Sequence, residues 1–338
     1  MLGEHSNDDP ETTMAFSRRS LLRSAATLAA LPAAARAQPS GYPSKSLRIL
    51  VASPAGGLTD NYARLYADHF TARTGQPAVV ENRPGASGII CTEALVKAPP
   101  DGYTVAMGST GMYWQTRVLY RKLPFDLEKD IKPVTVFPTG PLMFAATEKT
   151  GIRDIRGLLE YARRQPVQMG NYVTGGYQQV LAETLNRELG TRIEMVHYKG
   201  EPPMWVDMAS GLLDIAIGSF QAFWNVREKG LRPIASVGRT RTPRMPELPT
   251  LVEQGLTTPV ARLEAAIPMV AHSAVPDEML DYLANLAVEV SHAPRGKALR
   301  ESFGIPDATE GRAQALRMWK EEAPIWIREV QKLGLKLD

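Results

Sequence analysis

The stretch LRILVASPAGGLTD (residues 47–60) decides the fold class. Its first six residues form an apolar run of strand length, and the next five, SPAGG, are a turn through which no strand continues. Apolar residues then recur at helical spacing from Tyr62 to Phe70, and Thr59 or Asp60 is placed to cap the first turn. A strand, a glycine-containing loop and a helix are the first unit of an α/β sheet.

The same build recurs further along the chain. The loops NRPGASG (82–88) and GSTG (108–111) each follow a short apolar run and precede a segment with helical character. A third loop, NYVTGG (171–176), also follows an apolar run and opens a segment with one apolar helical face. Apolar runs at 212–217 and 231–237 predict two more strands. Repeated strand–loop–helix units of this kind predict an α/β protein with parallel-type sheets.

Two helical segments are predicted in the C-terminal part. Pro276 opens a segment with an apolar stripe at helical spacing, as proline does at the first position of many helices. Residues 309–333 are expected to form one long amphipathic helix. Its packing anchors would be Leu316, Trp319 and Trp326, which we interpret as core residues and not as a ligand cage.

The chain is predicted to cross twice between two domains. Two segments, at 137–142 and at 234–238, join apolar runs to proline- or glycine-bearing stretches and would act as hinges. We therefore expect residues 38–137 and 238–338 to form a discontinuous domain 1, and residues 138–237 to form domain 2. A length of 338 residues agrees with two domains.

Composition excludes several classes of protein. The chain is 44% hydrophobic and 22% charged, which is ordinary for a globular protein. Its 39 basic and 36 acidic residues give a net charge of only +3, so no basic surface for nucleic acid is indicated. Cys91 is the single cysteine, so no intrachain disulfide can form, and we expect it to be a small buried side chain.

The N-terminal residues resemble an export signal. The run SRRSLLR (17–23) is followed by an apolar stretch rich in Ala and Leu, and the small-residue sequence ARA (35–37) ends it. Paired arginines before leucines resemble a twin-arginine signal, cleaved after about Ala37, so residues 1–37 are expected to be removed and the mature protein to be periplasmic. The alternative, a buried Ala-rich helix, conflicts with Pro32 inside the stretch. The sequence does not choose between Met1 and Met14 as the start.

Enzyme signatures are missing from the sequence. It contains no dinucleotide-binding G-x-G-x-x-G, no phosphate-binding P-loop and no G-x-S-x-G nucleophile motif. The five histidines have no spacing typical of metal ligands. We therefore expect no catalytic residues, no metal and no cofactor. A nucleophile and base assembled from distant positions remain an alternative, as in a periplasmic hydrolase or isomerase.

Small-residue loops at strand ends favour an anion-binding site. The first N–H groups of a helix have no partners within the helix, and the helix dipole places partial positive charge there. Glycine lets the oxygens of a carboxylate approach these donors. Three loops of this kind, at 55–60, 108–111 and 174–178, could face one another across a cleft. For any one loop, a tight turn without a ligand is an equal alternative.

Several motifs together resemble the substrate-binding receptors of tripartite tricarboxylate transporters, the Bug type. They are SPAGGLTD (53–60), ENRPGASG (81–88), DGYT (101–104), YKG (198–200) and PELPT (246–250). The resemblance runs from about Tyr42 to the last residue. It implies a two-domain type II periplasmic binding protein, with two parallel-type sheets joined by crossing hinge segments and the ligand in the cleft. It also implies capture of a small carboxylate-bearing organic acid and transient contact with a membrane permease, in a monomer. A receptor that serves signalling instead of uptake is an alternative.

The resemblance and the loops together give a set of candidate ligand-binding residues. They are Ala55, Gly56, Gly57, Leu58, Thr59, Asp60, Ser109, Thr110, Thr174, Gly175, Gly176, Tyr177, Gln178 and Ser219.

The chain departs from the family pattern at two places. Val180 stands near the position where a histidine is expected, and the acidic residue often seen after the strand that ends at Ser219 is missing. Tyr177 and Gln178 add an aromatic ring and an amide to the third loop. These departures favour a flat or aromatic carboxylate over a small, highly charged acid. We expect Arg83 of the NRPG motif to be a structural residue.

Overall fold

Two five-stranded sheets form the frame of the protein, whose computed structural model describes residues 41–337. The strands of the first sheet are β1 (Leu47–Val51), β2 (Ala78–Asn82), β3 (Thr104–Met107), β4 (Ile131–Pro138) and β10 (Ala266–His272). Those of the second sheet are β5 (Leu142–Thr147), β6 (Val167–Asn171), β7 (Ile193–His197), β8 (Ile215–Ser219) and β9 (Leu231–Val237). The strand orders are β2-β1-β3-β10-β4 and β7-β6-β8-β5-β9. The helices are α1 (Leu58–Thr74), α2 (Ile89–Val96), α3 (Thr110–Trp114), α4 (Thr116–Leu119), α5 (Ile155–Arg164), α6 (Tyr177–Leu189), α7 (Glu201–Ala209), α8 (Phe220–Trp224), α9 (Asp277–His292), α10 (Pro294–Phe303), α11 (Arg312–Glu321) and α12 (Ala323–Lys332).

Each sheet is parallel except around one antiparallel strand. In the first sheet β10 runs against both β3 and β4, and in the second β5 runs against both β8 and β9. Leu142, the first residue of β5, pairs with Ser219 and Val237, the last residues of β8 and β9. The chain enters the second sheet at the edge where its other strands end, so β5 has to run in the opposite direction. Ala266 of β10 likewise pairs with Pro138, the last residue of β4.

The chain passes directly from β4 to β5 through residues 139–141, and it leaves the second sheet after Val237. The division into a discontinuous domain 1 and a continuous domain 2 stays a prediction, and we call the two sheets with their helices the first and second lobes. The proposed export signal at residues 1–37 lies outside the described residues. Among residues 41–337, no helix combines the length and apolar character that crossing a membrane requires.

The C-terminal segment forms two helices and not the single one expected. α11 ends at Glu321 and α12 begins at Ala323. Pro324 explains the break, because it has no N–H to donate to the Lys320 carbonyl and its ring would collide with that group. The expectation for Leu316 was also wrong, since this side chain is 47% exposed.

The two tryptophans of this segment do pack in the core, and they do so against different lobes. The Trp319 ring lies 6.0 Å from Tyr113 and 5.4 Å from Trp114, measured between ring centroids, and both partners belong to α3 of the first lobe. The Trp326 ring lies 6.0 Å from Tyr177 at the start of α6 in the second lobe. The C-terminal helices therefore contact both lobes.

Candidate ligand-binding site

The carboxyl ends of neighbouring strands coincide in both sheets. Val51 at the end of β1 pairs with Asn82 and Met107, the last residues of β2 and β3. In the second sheet Asn171 at the end of β6 pairs with His197 at the end of β7. Loops that follow these strands thus meet at one edge of each sheet, where α/β proteins place their ligands.

A cavity of about 290 Å³ lies among these loops. Ser53 and Thr59 line it from the first loop, Ser109 from the second, and Val173 and Thr174 from the loop after β6 in the second lobe. Both lobes therefore contribute to one small cavity, which is the size of space that a small organic molecule fills.

The side chain of Ser53 has a hydroxyl group that is free to bind a ligand. Its hydroxyl oxygen is buried and has no hydrogen-bond partner within the described residues, and the residue lines the cavity. A buried hydroxyl without a partner costs free energy, so such groups usually face a ligand or water. Sequence reasoning missed Ser53 because it started the binding loop at Ala55. The signal was present, since Ser53 is the second residue after β1.

The start of α1 offers backbone donors beside Ser53. The helix is preceded by Gly57, and no side chain caps its first turn. The expectation that Thr59 or Asp60 would cap the helix was therefore wrong. The first-turn N–H groups have no partners within the helix, and they carry partial positive charge that attracts a carboxylate. Leu58 and Thr59 both belong to this turn, and each lines a different cavity.

The buried carboxylate of Asp60 fixes the conformation of the first loop through hydrogen bonds. The side chain is 2% exposed, and its Oδ2 accepts hydrogen bonds from the Gly56 N–H at 2.9 Å and from Arg64 at 2.9 Å. Its Oδ1 accepts one from the Asn82 amide at 2.9 Å, and the same amide donates to the Ser53 carbonyl at 3.0 Å. Burial alone would raise the pKa of Asp60, but the hydrogen bonds from Arg64, Gly56 and Asn82 outweigh it and lower the pKa. Asp60 is thus an ionised residue that positions the loop.

Arg83 of the NRPG motif is paired within the first lobe, which agrees with the structural role expected for it. Its guanidinium donates to Glu81 Oε2 at 3.0 Å, and Arg48 on the neighbouring strand β1 donates to the same carboxylate at 2.9 Å. Hydrogen bonds from Arg48, followed by those from Arg83, outweigh partial burial and lower the pKa of Glu81 to about 2. This ion-pair cluster fixes the end of β2 next to the first loop.

The third loop differs from the expectation for an aromatic ligand. Tyr177 is only 6% exposed, and its hydroxyl donates to the Val260 carbonyl at 3.1 Å. Gln178 is 2% exposed, and its amide donates to the Ile217 carbonyl at 3.1 Å. Both side chains are therefore buried and hydrogen-bonded to backbone carbonyls, and the expectation that Tyr177 offers its ring to an aromatic acid was wrong.

Two backbone N–H groups of this loop are also hydrogen-bonded within the protein already. The Gly175 N–H donates to Gln179 Oε1 at 3.0 Å, and the Gly176 N–H donates to the Val173 carbonyl at 2.9 Å. Thr174, which is exposed and lines the cavity, is the polar side chain that this loop presents to a ligand.

A second cavity of about 280 Å³ borders the α1 start at Leu58. Leu58 lines it from the first lobe, and Leu142, Ser219 and Phe220 line it from the second. Glu201, the first residue of α7, also lines this cavity. Among the described residues that line the two cavities, Glu201 is the one charged side chain.

The predicted site residues thus fall into two groups. Those that line one of the two cavities are Leu58, Thr59, Ser109, Thr174 and Ser219. Those that do not line either cavity but form or support the loops are Ala55, Gly56, Gly57, Asp60, Thr110, Gly175, Gly176, Tyr177 and Gln178.

A larger groove of about 660 Å³ lies elsewhere, on the outer side of the first lobe. It is lined by Arg64, Asp68 and Arg295 among others. Its arginines are already paired, Arg64 with Asp60 at 2.9 Å and Arg295 with Asp68 at 2.8 Å. Only the first lobe contributes to this groove, so we place the site in the cleft despite the greater volume of the groove.

Comparison with known proteins agrees with the architecture. A sequence profile described as "Tripartite tricarboxylate transporter family receptor" matches residues 62–335. Protein BugT of Bordetella pertussis is 29% identical over 303 residues, which cover 88% of this chain and 91% of that protein. A UPF0065 protein of Bordetella bronchiseptica is 28% identical over 321 residues, which cover 94% of each. The structure of R. palustris Rpa4515 with adipate has a TM-score of 0.72 and 27% identity, and it matches 88% of this chain and 100% of that one.

Two lobes with loops that meet at a cleft define a solute-binding protein. The chain belongs to the tripartite tricarboxylate transporter receptor family, since the profile covers most of its length. Members of this family are periplasmic substrate-binding receptors and not enzymes. The resemblance drawn from the sequence and the predicted fold class are both confirmed.

The Asp60 interactions give a prediction for stability and its pH dependence. Asp60→Asn should lower the free energy of unfolding at pH 7 by about 1–3 kcal/mol, because an amide nitrogen cannot accept the hydrogen bonds that the carboxylate oxygens accept. Folding lowers the pKa of Asp60 below its ordinary 3.8, so its contribution is complete above that value and is lost as the pH falls below it. Urea unfolding of both proteins from neutral to acid pH measures this.

Asp68→Asn is the matched control, because it removes the exposed ion pair with Arg295 and should cost less than about 1 kcal/mol. A pH-independent difference between the wild type and Asp60→Asn would contradict the role given to the ionised carboxylate.

Proposed function

We propose that this chain is a receptor that binds a small organic acid in the cleft between its lobes, for delivery to a membrane permease of the tripartite tricarboxylate type. The acid's carboxylate would lie at the start of α1, where it accepts hydrogen bonds from the first-turn N–H groups and from Ser53. Thr174 would contact the ligand from the second lobe. The support for a carboxylate ligand in a relative is the structure of R. palustris Rpa4515 with adipate.

The buried Ser53 hydroxyl is the observation that carries this proposal. It lacks a partner within the described residues, it lines a cavity shared by both lobes, and it lies beside an uncapped helix start. Each of these three features suits an oxygen-rich anion. Because the donors are neutral, they stabilise one negative charge without placing a second ionised group beside it.

Contact between the lobes explains how binding could be communicated. A methyl group placed on Gly175 would lie 2.9 Å from a side-chain carbon of Leu119, so the third loop already rests on α4 of the first lobe. A ligand that touches both lobes would favour this closed arrangement over an open one, and a permease could then recognise the closed form. We expect the receptor to act as a monomer that meets the permease transiently.

Gly57 allows a direct test of the carboxylate position. A Cβ atom there would have only the Pro54 carbonyl oxygen within 4 Å, at 3.9 Å, and the backbone has an ordinary φ of −76°, so the fold should tolerate a side chain. Gly57→Val is expected to weaken binding of the acid at least about tenfold, since the side chain would stand beside the first-turn donors. Calorimetric titration with the acid that most raises the melting temperature of the wild type measures the loss.

Gly157→Val, on α5 and outside both cavities, is the control and should bind like the wild type. Equal affinity in the wild type and Gly57→Val would show that the first loop is only structural. A wild type that binds no organic acid would overturn the proposed function itself.

Export through the twin-arginine route is the second part of the proposal. It rests on the sequence SRRSLLR (17–23) followed by an apolar stretch and ARA (35–37). Replacing Arg18 and Arg19 together by lysine should leave the precursor in the cytoplasm, which fractionation and immunoblotting would detect. Unchanged export of this variant would remove the twin-arginine assignment and leave the general secretory route.

A further inference from the structure

Glu201 occupies an unexpected place in the cleft. It is the first residue of α7, and it follows the sequence YKG (198–200). Its carboxylate nevertheless lies at the end of β8, against Ser219, which is 18 residues later in the chain. The family pattern led us to expect an acidic residue after this strand, and the sequence showed none there. Glu201 therefore supplies a carboxylate at that place from a different segment.

Three protein donors hold this carboxylate in a fixed position. The Ser219 N–H and the Trp205 indole N–H, the latter at 3.0 Å, both donate to Oε1. The Ser219 hydroxyl donates to Oε2 at 3.1 Å. The backbone of β8 is shaped for this approach, because a methyl group on Gly218 would collide with Oε1. A carboxylate held by several fixed donors is pre-organised and does not swing out of the cavity.

The carboxylate still has capacity for a ligand. A carboxylate accepts about four hydrogen bonds. Within residues 41–337, Oε2 receives only one, so it can accept another from a molecule in the second cavity. The walls around it are largely apolar, with Leu58, Leu142 and Phe220 among them. In such surroundings an unpaired hydrogen-bond donor on the ligand is satisfied by Glu201, whereas a second negative charge is repelled.

The geometry points to a ligand with one carboxylate and a hydrogen-bond donor at its far end. We propose that Glu201 selects such acids, for example hydroxy acids, over dicarboxylates of the same length. Leu58 and Thr59, consecutive residues at the α1 start, line the second and the first cavity respectively, so a carboxylate bound at this start would lie next to the cavity that Glu201 lines. This inference rests on the proposed function, because it assigns the second end of the same ligand.

The test compares acids that differ only at the far end. Two trios of equal carbon length serve as probes: adipate, 6-hydroxyhexanoate and hexanoate, and succinate, 4-hydroxybutanoate and butanoate. Each is titrated by calorimetry into the wild type, into Glu201→Gln and into Glu160→Gln. The glutamine at 201 keeps the size of the side chain and removes its charge. Glu160→Gln removes one charge from an exposed site on α5 and controls for the change in net charge.

In at least one trio, the wild type is expected to bind the hydroxy acid at least about tenfold more tightly than the dicarboxylate. Glu201→Gln should reduce this ratio by about tenfold or more, mainly by binding the dicarboxylate better, and Glu160→Gln should leave it unchanged. A wild type that shows no such preference for the hydroxy acid in either trio overturns this inference and leaves the proposed function standing. An equal ratio in the wild type and Glu201→Gln also overturns it. Failure of all six acids to bind also overturns this inference, whereas the proposed function is overturned only by a wild type that binds no organic acid.

Discussion

The buried carboxylate of Asp60 is the interaction on which the cleft depends. It joins the Gly56 N–H, the Arg64 guanidinium and the Asn82 amide, so the loop after β1, the first helix and the end of β2 are held as one unit. Because the Asp60 carboxylate accepts a hydrogen bond from the Gly56 N–H, the loop keeps its conformation without a ligand. The N–H groups of the first turn of α1 remain for a ligand, since no side chain caps them.

The charges of the side chains that line the cleft bear on the kind of ligand that it could bind. The cavity around Ser53 is lined by hydroxyl, amide, glycine and apolar residues, without a charged side chain among them. Neutral donors stabilise one carboxylate, whereas several carboxylates close together usually require arginine or lysine. Among the described residues that line the two cavities, the one charged side chain is that of Glu201, which lines the second cavity. The family name refers to tricarboxylates, whereas the described residues that line the two cavities include one negative side chain and no positive one.

The strands and the loops at their ends could be predicted from the sequence, whereas contacts between distant segments could not. Runs of apolar residues that end at glycine and serine are local signals, and they located β1, β6 and β9 closely. Glu201 could not be connected with Ser219, because only the pairing of strands brings the start of α7 to the end of β8. The direction of the Tyr177 ring likewise depends on Trp326, which lies far along the chain. Pro324 was a local signal for the helix break that the prediction of a single helix overlooked.

A crystal structure of the mature protein with a bound organic acid tests the central claim most directly. The acid chosen should be the one that gives the largest rise in melting temperature. Our account predicts one carboxylate within hydrogen-bond distance of the Ser53 hydroxyl and of the first-turn N–H groups of α1, with Thr174 of the second lobe in contact. An acid bound instead in the outer groove beside Arg64 and Arg295, with the cleft occupied only by water, would contradict it.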